Sequence, residues 1–158
     1  LDAESKVYSQ QIAFNVIPHI DVLQDNGFTK EEMKMVWETQ KIFNDPDIKV
    51  NPTAVRVPVF YGHSEAVHVI TKNDFELHDV INEFKRAQGV EVVHEDDPFD
   101  YASAVKHATG EDPVFVSRIR RGLDSPRSLN LWVVSDNIRK GAALNSVQIA
   151  EKLIESYL

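Results

Sequence analysis

The sequence predicts an α+β domain: a mainly antiparallel, mixed sheet with helices packed on one face. Three observations lead there. Apolar runs of strand length recur, with segments of helical periodicity between them. Several of those runs come in pairs joined by turn residues, as around Gly62 and in "RGLDSPRS". The chain has 158 residues, 42% of them hydrophobic, which suits one domain with a buried core.

The elements follow in order. Gln11–Pro18, "QIAFNVIP", reads as a strand with Ile12, Phe14 and Val16 on one side. In "TKEEMKMVWETQKIF" Thr29 stands at an N-cap, and Glu32 three residues later completes a capping box. Met33, Val36, Trp37 and Gln40 share one face of that helix, while Glu31, Lys34, Glu38 and Lys41 form a charged stripe. Asn44–Asn51 is a loop. Ala54–Tyr61 and Ser64–Thr71 read as strands broken at Gly62. Phe75, Leu77, Val80, Ile81 and Phe84 mark an amphipathic helix, stopped by Gly89 at a C′ position. Val90–His94 is a short strand. The acidic run that follows, with Pro98 and Gly110, reads as a long loop. Val114–Arg120 and Leu129–Ser135 are two more strands, and a helix from about Asn137 to Tyr157 closes the chain.

"AVRVPVFY" and "LNLWVVS" are apolar on both sides, whereas an antiparallel sheet with one wet face alternates. Three helices cover one face. The other is expected to meet another subunit or domain.

Composition excludes several classes of function. The net charge is −8 with a pI near 5.2, and the basic clusters "RIRRG" and "NIRKG" are short, so nucleic acid is not the expected partner. No apolar run approaches the roughly 18–20 residues that span a bilayer, so no membrane association is expected. No leader pattern is visible, which fits a cytoplasmic protein. Cysteine is absent, so the chain supplies no thiol nucleophile and no disulfide. GxGxxG, Walker and GxSxG patterns are absent too. None of the six histidines lies in HxxxH or HExxH. His63 with Glu65, and His94 with Asp96 and Asp97, have ligand chemistry without ligand spacing, and no metal site is expected.

What remains is Arg56 with His63, and Glu31 with Lys34. Glu31 and Lys34 share a helix face at i, i+3. They read either as a solvated stripe or as a charged binding pair. Arg56, flanked by Val55, Val57, Pro58 and Val59, needs an anionic partner, which is either one of the chain's own acids or a ligand. His63 follows Gly62. Strict alternation would put Arg56 and His63 on opposite faces, so a shared role requires the strand to break between Pro58 and Gly62.

The stretches "IAFNVIPHIDVLQDNGFTKEEMKMVWETQKI", "VRVPVFYGHSEAVHV", "VFVSRIRRG" and "LNLWVVSDNIRKGAALNSVQIAE" together resemble the C-terminal half of aspartate-β-semialdehyde dehydrogenase. The resemblance implies a catalytic and dimerisation domain like that of glyceraldehyde-3-phosphate dehydrogenase, over residues 1–136. It implies a C-terminal helix, 137–158, that packs on a separate cofactor domain. It also implies NADP as cofactor, a homodimer through the sheet face, and reductive dephosphorylation of β-aspartyl phosphate on the route to lysine, methionine and threonine. His63 would be the acid/base, Arg56 the clamp on the substrate α-carboxylate, and Glu31 the receptor of its ammonium. Lys34 would hold phosphate and Asn137 the nicotinamide amide. The family's nucleophilic cysteine would lie before Leu1, so this chain alone is expected to be inactive. Two other readings share the pattern: a non-catalytic dimerisation module, and a related acyl-phosphate reductase, which has no use for the Glu31 carboxylate.

Overall fold

The computed structural model describes residues 5–93, 97 and 99–157. The chain forms two compact units, Leu1–Pro58 and Val59–Leu158.

The first unit is organised by one helix, α1 (Lys30–Phe43). The capping box is in place. The Glu32 N–H donates to Thr29 Oγ1 at 3.3 Å, and the Thr29 N–H donates to Glu32 Oε2 at 2.7 Å. Asn44 ends the helix in the left-handed region, at φ 50°. Gln40 turns its amide onto the carbonyls of Pro46 and Ile48, which holds the loop after α1 against it. Trp37, on the expected apolar face, stays half exposed, and the buried residue of α1 is Glu32.

Two expected strands are not strands. In Gln11–Pro18, Phe14 takes φ 60° and the Asn15 N–H closes a turn on the Ile12 carbonyl at 3.0 Å, so the segment bends where alternation required extension. Ala54–Tyr61 has one isolated bridge, Arg56 with Ile17. Pro58 has no N–H with which to continue a ladder. Val55, Val57 and Val59 remain about two-fifths exposed.

The second unit carries a four-stranded sheet. Its strands are β1 (His63–Ile70), β2 (Val90–Val92), β3 (Val114–Arg121) and β4 (Ser128–Ser135), in the order β1-β4-β3-β2. β1 and β3 run antiparallel to β4, and β2 runs parallel to β3, so the sheet is mixed as expected. The helix α2 (Leu77–Arg86) links β1 to β2 and packs against β2 and β3. Its cap is Ala87, and Gly89, at φ 75°, turns the chain one residue later than a C′ glycine would. β2 ends at Val92, and His94, counted in that strand from the sequence, lies outside the described residues.

The segment read as a long loop contains a π-helical turn, Ala104–Ala108. Its small side chains let the backbone sit close on the sheet. Ala102, Ala104 and Ala108 form the core with Val93, Phe115 and Val134, and Trp132 packs alongside. The Trp132 indole donates to the Ala102 carbonyl at 2.8 Å, and the Ala102 N–H donates to Ser117 Oγ at 3.0 Å. Phe115 pairs with Val134 and Ser117 with Trp132, so this core lies on one face of β3 and β4. The alternate positions Val67, Val69, Leu131 and Val133 are only half-buried.

The closing helix begins with a π-helical turn, Arg139–Ala143, and continues as α3 (Leu144–Tyr157). No described residue of α3 is buried, and Val147, Ile149, Leu153 and Ile154 are each more than half exposed. Among the described residues no helix is long and apolar enough to cross a membrane.

Candidate active site

Three of the candidate residues belong to the first unit. Glu31 and Lys34 lie in the first turns of α1 and pair with each other, Nζ to Oε2, at 3.0 Å. That hydrogen bond, and then the Glu31 charge, hold the Lys34 ammonium above its usual range. Arg56 is half-buried on its bridge to Ile17. Its guanidinium lies over the Tyr8 ring, 5.1 Å from the centroid. A cation–π contact uses up no N–H donor in a hydrogen bond, so the donors stay available to a planar anion. Among the described residues no carboxylate pairs with Arg56.

The fixed point of this group is Glu32, which the sequence shows only as a helix cap. One carboxylate oxygen closes the capping box, and the other accepts the Ala54 N–H at 2.9 Å. The start of α1, with Glu31 and Lys34, is thereby tied to the segment that presents Arg56 two residues later. The bonds from Thr29, and then from Ala54, hold the Glu32 carboxyl below its ordinary value of 4.5.

His63 and Asn137 belong to the second unit. His63 is the first residue of β1, exposed, opposite Ser135 of β4. A regular strand does not run from Arg56 to His63. The chain leaves its bridge at Arg56, turns at Gly62 with φ 88°, and only then enters the sheet. Asn137 lies just beyond β4, and its Oδ1 accepts the Gly62 N–H at 2.9 Å. The Asn137 amide is thus anchored one residue from His63.

Asp136 was not among the sequence candidates. It is 4% exposed and takes three backbone N–H bonds, from Gly110, Ile138 and Arg139, at 2.8 Å each. The Gly110 bond first, and the Arg139 bond next, keep its carboxyl below the ordinary 3.8. An aspartate ahead of a predicted helix is a cap signal, and it was available in "SDNIRKG".

Both depressed carboxyls make stability depend on acid. A group whose folded value is lowered contributes stability that is full above its unfolded value, 4.5 for Glu32 and 3.8 for Asp136. That contribution disappears as pH falls through the folded value. The urea midpoint is expected to be level from neutral pH to about pH 5 and to drop below it. Glu32→Gln should flatten the drop. A midpoint that holds constant to pH 3 would contradict this assignment.

Among the described residues no three His, Cys, Asp or Glu side chains are grouped to hold a metal ion. His63 and Glu65 lie two apart on β1, both exposed. His94 and Asp96 lie outside the described residues.

Residues 1–140 match the family described as semialdehyde dehydrogenase, dimerisation domain. The chain belongs to this family. It is 60% identical over 157 residues to aspartate-semialdehyde dehydrogenase from Shewanella violacea, covering 99% of this chain and 46% of that protein. Aspartate semialdehyde dehydrogenase II from Vibrio cholerae, in its crystal structure complexed with ASA, superposes with a TM-score of 0.92 at 55% identity. That match again covers 99% of this chain and 46% of the other. A more distant structure, the Candida albicans aspartate semialdehyde dehydrogenase with NADP, has a TM-score of 0.65 at 24% identity over 93% of this chain and 46% of its own, a likeness of fold. The chain therefore spans about half the length of the semialdehyde dehydrogenases it matches.

Proposed function

We propose that this chain is the catalytic and dimerisation part of an NADP-dependent, cytoplasmic aspartate-semialdehyde dehydrogenase. In the biosynthetic direction such an enzyme converts β-aspartyl phosphate and NADPH to the semialdehyde, phosphate and NADP⁺, on the route to lysine, methionine and threonine. One observation carries the reading. Arg56 is half-buried with its guanidinium over the Tyr8 ring, and no carboxylate pairs with it among the described residues. A half-buried guanidinium with its donor edge unused suits a carboxylate-bearing ligand.

The other residues fit the same substrate. Arg56 grips the α-carboxylate with two parallel hydrogen bonds. The Glu31 carboxylate receives the ammonium, and Lys34 serves the phosphate as a compact charge. Binding therefore exchanges the Glu31–Lys34 ion pair for two ion pairs with the substrate. His63 takes the proton from an attacking thiol and returns one to a leaving oxygen, a role imidazole fills near neutral pH. The chain has no cysteine, so the thiolate comes from outside it. Asn137 meets the carboxamide of the nicotinamide, which supplies the hydride chemistry.

Residues 1–136 form the catalytic and dimerisation domain in this reading, and 137–158 a helix for a cofactor domain. The exposed apolar positions of α3 support the second assignment. Half-buried Val67, Val69, Leu131 and Val133 support a homodimer through the sheet face, and the family's description as a dimerisation domain agrees.

The purified 158-residue chain, given NADP⁺, phosphate and aspartate semialdehyde, is expected to form no NADPH. Steady turnover by this chain alone would show that it needs no external thiolate and would overturn the division of labour.

A further inference from the structure

Resting on the reading of His63 as the group that moves protons, we infer that Asn137 and Asp136 form a clamp that positions His63 through Gly62. The His63 imidazole is exposed, and no hydrogen bond fixes it among the described residues. The backbone therefore sets the one thing that is fixed about it, the Cα–Cβ bond from which the ring projects. That backbone has two anchors. One is the pairing of His63 with Ser135 on β4. The other is Gly62.

Gly62 is held from three sides. Its N–H donates to Asn137 Oδ1 at 2.9 Å, across 75 residues of sequence. A Cβ built on it would lie 2.9 Å from Ala104 Cβ and 3.3 Å from the Ser135 carbonyl oxygen. Its φ of +88° is a conformation that L side chains rarely adopt. The turn before His63 thus needs glycine in a close-packed place, and the Asn137 oxygen is its polar latch.

Asp136 holds the latch in place. Its Oδ1 accepts the Ile138 and Arg139 N–H groups, which fixes the backbone on the far side of Asn137. Its Oδ2 accepts the Gly110 N–H, two residues beyond the π-helical turn whose Ala104 backs Gly62. One buried carboxylate therefore fixes both the latch and the wall behind the glycine. With Asn137 Oδ1 engaged, its Nδ2 is left as the donor for a ligand. The same amide then sets the imidazole and the ligand relative to each other. Asn137 and Asp136 are positioning residues for His63.

The test needs no turnover. In the 158-residue chain, nuclear magnetic resonance reads the Gly62 amide exchange rate and the His63 ring resonances, with the β1–β4 ladder amides as the control for folding. Asn137→Ala is expected to speed Gly62 exchange by about tenfold or more and to move the His63 resonances while the ladder stays protected. Asn137→Asp keeps an acceptor oxygen at the same reach and is expected to restore Gly62 protection. Unchanged Gly62 protection in the alanine variant would overturn the clamp. So would an aspartate variant that loses Gly62 protection with its ladder intact. If the alanine variant also loses the ladder, the aspartate variant alone decides by the same criterion. Failure of the proposed enzymatic activity would leave these readouts untouched, so the two ideas fail separately.

Discussion

Replacing His63 by alanine in an enzyme containing this chain is expected to lower kcat by about 10²–10⁴-fold, the range for loss of a general acid–base. The proposed chemistry needs a group that accepts a proton from a thiol and later donates one, and His63 is the one imidazole among the side chains proposed to act on the substrate. His63 also lies where a flexible partner would be a poor choice. It stands at the first position of β1, directly after a glycine gripped by Asn137 and pressed on Ala104. KM for the semialdehyde should change little, because recognition of its charges is assigned to other residues. The pH dependence of kcat should lose one limb. A variant that keeps wild-type kcat would remove His63 from the mechanism.

Arg56→Lys should act in the opposite way, raising KM for the amino-acid substrate about 10–100-fold, the equivalent of one lost charge-assisted hydrogen bond. Charge alone does not predict this. Lysine keeps the cation but offers a point charge in place of a planar fork, and it changes the cation–π contact with Tyr8. Folding should be little affected, since the bridge to Ile17 uses the backbone of residue 56. An unchanged KM would mean that the guanidinium serves the packing of the first unit and touches no substrate.

Elements fixed by local chemistry were legible in the sequence. Thr29 with Glu32 marks the start of α1, and β1, β3 and β4 fall within one residue of the expected runs. Segments that share an apolar pattern but lack a partner were misread. Gln11–Pro18 and Ala54–Tyr61 alternate like strands, yet Phe14 adopts a left-handed φ and Pro58 offers no N–H. A period of two records which side chains want cover, and it leaves open whether a neighbouring strand supplies it. The π-helical turn at Ala104–Ala108 was missed because its contribution to the core is mostly alanine, too small to register as a hydrophobic stripe.

The candidate site shows the same division. The residue types of Glu31, Lys34, Arg56 and His63 suggested their chemistry, and the resemblance supplied their roles and added Asn137. Their supports were invisible. The Glu32 bond to Ala54 spans 22 residues and the Gly62 bond to Asn137 spans 75. No local periodicity encodes a contact of that range. Asp136 is the instructive case. Its cap signal was local and readable, but the third bond, to Gly110, is what makes it a support for the site as well as a helix start.

The central claim is that this chain supplies the catalytic half of an aspartate-semialdehyde dehydrogenase. The most direct measurement exchanges it for the matching 46% of the Shewanella violacea enzyme and assays the chimera for NADPH formation from aspartate semialdehyde, phosphate and NADP⁺. The account predicts steady turnover that Asp136→Asn leaves detectable and His63→Ala lowers by about 10²-fold or more. A folded chimera that forms no NADPH, or one whose turnover is unchanged by His63→Ala, would contradict it.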